Sequence, residues 1–164
     1  MPREPTDEES KCHYNGLSDP PPQLLAFTSN TLAKPGAKMI SSPPEFCEIV
    51  VAMRDEQLVE DLKEAMQKAE PFCMLPVRLG PKVPWTDLEH DPDEELTNDE
   101  HPVILLVSVN PNSDVTHKTA LEAALACKYH LWKYQNIPIN VEICKTKTGQ
   151  LPPTSKKTSF SLTE

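Results

Sequence analysis

Two segments of the chain carry the clearest alternation of apolar and polar positions, and both predict parts of a folded core. From Asp55, the apolar residues Leu58, Leu62, Ala65, Met66 and Ala69 recur at helical spacing, with Glu60, Lys63, Glu64 and Lys68 on the opposite side. The pattern predicts an amphipathic helix, started by Asp55 and Glu56, supported by the Glu64–Lys68 pair and stopped by Pro71. Further on, Pro102 to Val109 (PVILLVSV) is apolar on both alternating sides through Leu106, as in a sheet strand covered on both faces. Asn110-Pro111-Asn112-Ser113 turns the chain. A helix is predicted from about Asp114, with Ala120, Leu121, Ala124, Cys127, Leu131 and Tyr134 as its buried stripe and Lys118, Glu122 and Lys133 outward. Asn136 ends it in the left-handed conformation, two residues before Pro138. The following strand, Ile137 to Cys144, points Ile139, Val141 and Ile143 inward and Asn140 and Glu142 outward, so one face is buried. Strand, helix and strand joined by short turns predict a right-handed parallel crossover over Pro102 to Cys144.

Less regular patterns fill the remainder. Phe72 to Leu79 alternates, with Cys73, Leu75, Val77 and Leu79 on one side, but Pro76 lacks a ladder donor, which predicts an edge or bulged strand. Ser42-Pro43-Pro44-Glu45 presents a hydroxyl cap, a proline at the first helical position and a glutamate three residues after the cap. Phe46, Ile49, Val50 and Met53 are therefore read as a helix. The β-branched run Ile49-Val50-Val51 supports a strand as the competing reading. The resulting fold class is α+β: a small two-layer α/β sandwich of order αββαβ over residues 42–145, or the ferredoxin-like order βαββαβ if Phe46 to Met53 is extended. Residues 1–41, acidic and rich in Pro, Ser and Thr with scattered hydrophobes such as Leu24, Leu25 and Phe27, are expected to form a disordered or loosely packed arm. Residues 81–101 are expected as an acidic loop and residues 146–164 as a flexible tail.

Composition sharpens the picture in three ways. Proline supplies 18 of 164 residues, crowded before Glu45 and missing between Asn112 and Ile137, so order is unevenly distributed. The formal charge of −9, from 25 acidic and 16 basic side chains, repels phosphate backbones and argues against a nucleic-acid partner. The longest apolar run, Val103 to Val107, falls far short of the ~20 residues that cross a bilayer, so no membrane partner is expected. MPREPTDEES lacks the basic start and apolar run of a secretory leader. Cys12, Cys47, Cys73, Cys127 and Cys144, an odd set without repeated spacing, read as reduced thiols. Together these point to an intracellular chain, cytoplasmic or nuclear.

Candidate chemistry is sparse. Cys127-x-x-His130 places a thiol and an imidazole one helical turn apart, a spacing that suits a metal or a Cys-His couple, although Cys127 also belongs to the buried stripe. The acidic residues after Lys82 include Asp91, Asp93, Glu94 and Glu95, candidates for contacting a partner. An EF-hand loop counted from Asp87 would put Pro92 and Asn98 where calcium needs Gly and Glu. Arg78, Pro81 and Pro84 fit a basic-x-x-Pro-x-x-Pro peptide of the kind SH3 domains bind, or simply end a strand. Trp85 and Trp132 read as a loop anchor and a helix-flank packing residue. The chain holds no GxSxG, P-loop, GxGxxG or HExxH pattern, so no catalytic residue and no cofactor is assigned.

The stretch HPVILLVSVNPNSDVTHKTALEAALACKYHLWKYQNIPINVEICKT resembles one near the N-terminus of large uncharacterised fungal proteins. There a PVILWIGV-type strand precedes a helix carrying Ala-x-x-Cys-Lys and a DVEIRES-type strand. Pro21-Pro22-Gln23-Leu24-Leu25-Ala26 with Thr28-Ser29-Asn30-Thr31 is similar to that family's PPQLIARTSNT opening, and Val77-Arg78-Leu79-Gly80 to its VVRIG strand. The likeness runs from about Pro21 to Lys145. This chain departs from the pattern in its acidic insertion after Gly80 and in Cys144, where the family has Arg. Longer members continue into a segment similar to trypsin-like serine proteases, beyond the point matched by Glu164. The resemblance implies the fold and no activity. The functional expectation is a non-catalytic protein-interaction or scaffold domain with an unidentified protein partner, a truncated N-terminal part of a larger protein. The alternative is an enzyme or metal-binding protein using Cys127 and His130.

Overall fold

Apolar residues on both sides of PVILLVSV require cover on both faces, and the fold is built around that strand. The computed structural model describes residues 3–18, 20–29, 36–81, 101–146 and 160–161. Its elements are α1 (Asp7–Cys12), β1 (Gln23–Phe27), β2 (Lys38–Ser41), α2 (Glu48–Ala52), α3 (Glu56–Ala65), a 3-10 turn (Gln67–Ala69), β3 (Pro71–Pro81), β4 (Val103–Val109), α4 (His117–Gln135), β5 (Asn140–Lys145) and β6 (Phe160–Ser161). The class is α+β. The strands form one mixed sheet in the order β1-β5-β4-β3-β2, with β6 also paired to β3. β4 and β5 run parallel, Ile104 opposite Asn140 and Val109 opposite Lys145, with α4 between them in the chain, which is the strand-helix-strand order and parallel pairing expected for Pro102 to Cys144. The other pairings are antiparallel.

Period-two alternation divides β4 between two cores. Leu105, Val107 and Val109 pack with Met74, Val141 and Ile143 beneath α3 and α4, which contribute Leu58, Leu62, Ala120, Ala124, Cys127 and Leu131. Ile104 and Leu106 pack on the other face with Val77, Leu79, Leu24, Phe27 and Tyr14. Pro76 is accommodated by local geometry. β2 pairs with β3 at 78–81 and β6 at 73–74, so the missing donor falls where no described strand lies on the side of β3 away from β4.

The N-terminal residues correct the expectation of a loose arm. Thr6 and Glu9 form a reciprocal capping box that starts α1. β1 pairs with β5, and its register shifts between Leu24 and Ala26. The bulge lets Leu24 and Phe27 enter one core and Leu25 and Ala26 the other. These hydrophobes cannot order a segment alone, but an existing sheet edge supplies both ladder partners and two apolar surfaces. The tail expectation changes at one point, since Phe160–Ser161 pairs with Cys73–Met74; residues 147–159 lie outside the description.

Helix ends differ from the sequence reading as well. Residues 48–52 are helical, so the ferredoxin-like alternative does not apply, yet α2 starts at Glu48 after Cys47 and not at Ser42-Pro43. The chain makes a separate turn there, with Cys47 N–H donating to Pro44 O at 3.1 Å. α4 starts at His117, capped by Thr116, whose hydroxyl accepts from Thr119 N–H. Asn136 closes it in the left-handed conformation, at φ 55°.

Candidate functional site

Along β5, alternation sends Val141 and Ile143 to the helical face and therefore Glu142 and Cys144 to the other. The sequence reading leaves Glu142 in solvent; instead the N-terminal segment covers it, and it is 7% exposed. A buried carboxyl group requires hydrogen-bond donors. Glu142 Oε1 accepts from the Tyr14 hydroxyl at 2.7 Å and lies 3.0 Å from His13 Nε2, which in its protonated tautomer donates to the same oxygen. Burial, reinforced by Glu142, pushes the Tyr14 hydroxyl well above its ordinary pKa. Lys38 is also buried, its Nζ donating to Gly36 O at 3.1 Å. Burial lowers its pKa, and Glu142 offsets part of that effect. The groups are of the acid-base kind, but His13 and Tyr14 are directed at Glu142 and Lys38 at a backbone carbonyl. What the arrangement supplies is cohesion: it fastens the segment of His13 and Tyr14 to β5, with Ser10 Oγ donating to Leu24 O at 2.6 Å beside it.

The sequence-selected candidates fall elsewhere. Cys127 is buried in the helix-layer core, its thiol directed at Leu62 O 3.9 Å away, and burial pushes its pKa up to about 12. A thiol so shifted stays protonated at neutral pH and is a poor nucleophile or ligand. His130 lies near the surface, its ring edge-on to Tyr129 at 5.9 Å between centroids. Among the described residues no group of three or more His, Cys, Asp and Glu is placed to hold a metal ion. Arg78 and Pro81 are held in β3 between β2 and β4, so they do not form a free polyproline peptide. Asp91, Asp93, Glu94 and Glu95, with Pro84 and Trp85, lie outside the described residues.

An open groove of about 500 Å³ lies between Phe46, Cys47 and Ile49 at the start of α2 and Arg78, Val103 and Ile137. It sits at the N-terminal ends of the parallel strands β4 and β5. Crevices that take ligands in open α/β sheets lie at the opposite, C-terminal ends.

The outward face of α4 is different in character. Ala120, Ala123, Ala124, Cys127 and Leu131 bury one side of the helix. Leu125, Tyr129 and Trp132 follow at i, i+4 and i+7 on the far side, and they are 38%, 61% and 55% exposed. Tyr134, expected in the buried stripe, is 36% exposed and instead donates its hydroxyl to Asp55 Oδ2 at 2.7 Å, tying α4 to the start of α3. Trp132, read as a flank-packing residue, leaves more than half of its side chain open to solvent.

No protein family, curated protein or solved structure matches the chain. The geometry alone must therefore carry the functional reading. Among the described residues no helix is long and apolar enough to cross a membrane. Sequence reasoning missed both the Glu142 cluster and the α4 face. The first left no local signal, because its partners are more than a hundred residues apart. The second was legible as a second apolar stripe, Leu125, Tyr129 and Trp132, opposite the first.

Proposed function

We propose that this chain is a non-catalytic protein-interaction module that docks a protein partner on the outer face of α4. The observation that carries the reading is the exposure of Tyr129 and Trp132 side by side on a helix whose opposite face is already packed. Single exposed apolar residues are ordinary, but aromatic residues clustered on one rigid element have the composition of interface hot spots. Their rings offer large contact area at small entropic cost, and a helix anchored in a core holds them in fixed relative positions. The fixed, shared-oxygen arrangement of His13, Tyr14 and Glu142 accounts for the acid-base groups without assigning them a reaction.

Photo-crosslinking tests the proposal. A benzophenone amino acid replacing Tyr129 is expected to give discrete adducts in cells, while the same label at the exposed Glu64 of α3 gives none. Equal labelling from the two positions, or none from Tyr129, overturns the reading.

A further inference from the structure

We infer that the outer face of α4 is self-complementary and that its occupant is a second copy of this chain, packed antiparallel about a twofold axis. The inference rests on the interaction reading above and names the partner. At about 100° and about 1.5 Å per residue, Glu122 and Lys133 lie within about 20° of each other around the helix and about 16 Å apart along it. Both are exposed, on the same flank of the stripe. An antiparallel copy whose twofold axis passes between the levels of Cys127 and Lys128 sets each Glu122 against Lys133 of the other copy.

The same axis places the remaining groups without adjustment. Tyr129 arrives at the level of Ala126 of the second copy, a small residue on the outer side of the same flank, so nothing bulky opposes the ring there. Leu125 and Trp132 share the other flank, and Leu125 comes within about 3 Å, along the axis, of the level of Trp132 on the facing helix. Lys128 would stand near the axis as a pair of like charges. It is held back: its Nζ donates to Asn140 Oδ1 at 2.7 Å. Apart from Lys128, the stripe thus sets apolar groups on apolar ones and its flank sets acidic Glu122 on basic Lys133. A contact confined to one helix from each copy falls below the ~1,200 Å² of standard interfaces, so the association is reversible.

Sedimentation equilibrium of the full chain, from micromolar to several hundred micromolar, tests this. The wild-type chain is expected to shift from monomer to dimer across that range, and Trp132→Glu to remain monomeric with an unchanged circular dichroism spectrum. Glu122→Lys and Lys133→Glu are each expected to weaken dimerisation roughly fivefold to tenfold, and the double exchange to restore it. A monomer throughout, a dimer untouched by Trp132→Glu, or failure of the double exchange to rescue overturns the inference. If in those cases the Tyr129 label still captures a different protein, the interaction reading stands without the dimer. If it captures nothing, both fall.

Discussion

Replacing Glu142 probes the contact by which the N-terminal segment is held on the sheet. Glu142→Ala removes the acceptor of the Tyr14 hydroxyl at 2.7 Å and the partner of His13 at 3.0 Å, and it leaves both buried. Stranding a buried polar group costs about 1–3 kcal/mol, and two are stranded here, so the expected loss is about 2–6 kcal/mol, a large share of the ~5–15 kcal/mol that stabilises a typical domain. Tyr14→Phe keeps the ring in place and removes one hydrogen bond, so about 1.5–3 kcal/mol is expected. Because the two substitutions break the same contact, the double variant should lose less than the sum of the singles. Urea titrations followed by circular dichroism give these differences as shifts of midpoint at constant slope. Trypsin should also cut after Lys11 sooner in Glu142→Ala than in the wild-type chain. A loss below about 0.5 kcal/mol for Glu142→Ala, with unchanged cleavage, would refute a cohesive role for the cluster.

The remaining predictions concern thiols, acid and backbone strain. Burial pushes Cys127 and Cys144 to about 12, so iodoacetamide at pH 8 should spare both until urea unfolds the chain. Both folded thiols titrate above their unfolded counterparts. Their contribution is whole below about pH 9 and is lost as pH rises toward 12, so the urea midpoint should fall over that window. Arg3, with help from the Thr6 N–H, holds Glu9 at about 2, below its ordinary value of 4.5. Its contribution is present above pH 4.5 and is lost as pH falls through about 2. The pair is at the surface, so the change in helix signal should be small and further reduced by salt. Glu70 adopts a left-handed conformation, φ 51°, directly before Pro71. Glu70→Gly relieves that strain and should stabilise the chain by about 0.5–1 kcal/mol in the same titration.

How far the fold was legible depended on whether the signal was local. α3, β4, α4 and the parallel β5 each carry their own periodicity, and Asn136 closes α4 in the expected conformation. β1 and β2 carry little, because four or five residues gain order only from a neighbouring strand, and nothing in Gln23–Phe27 names β5 as that neighbour. Glu142 follows from that omission. With the arm left off the sheet, alternation can only point it to water, and with the arm in place the same alternation buries it against Tyr14. The Ser42-Pro43 helix start failed for a different reason: a capping pattern describes a preference of the backbone, and here the chain uses it for a turn before α2. The α4 face was visible in the spacing of Leu125, Tyr129 and Trp132, yet without the position of the sheet either stripe could have been the core.

The central claim is that Tyr129 and Trp132 are covered when the protein is at work. Hydroxyl-radical footprinting reads the exposure of those two side chains directly, in a cell extract and in a dilute solution of the purified chain. The account predicts that their oxidation falls several-fold in the extract while that of the exposed Phe46, on the turn before α2, stays the same. Equal oxidation of Tyr129 and Trp132 in the two samples would contradict it.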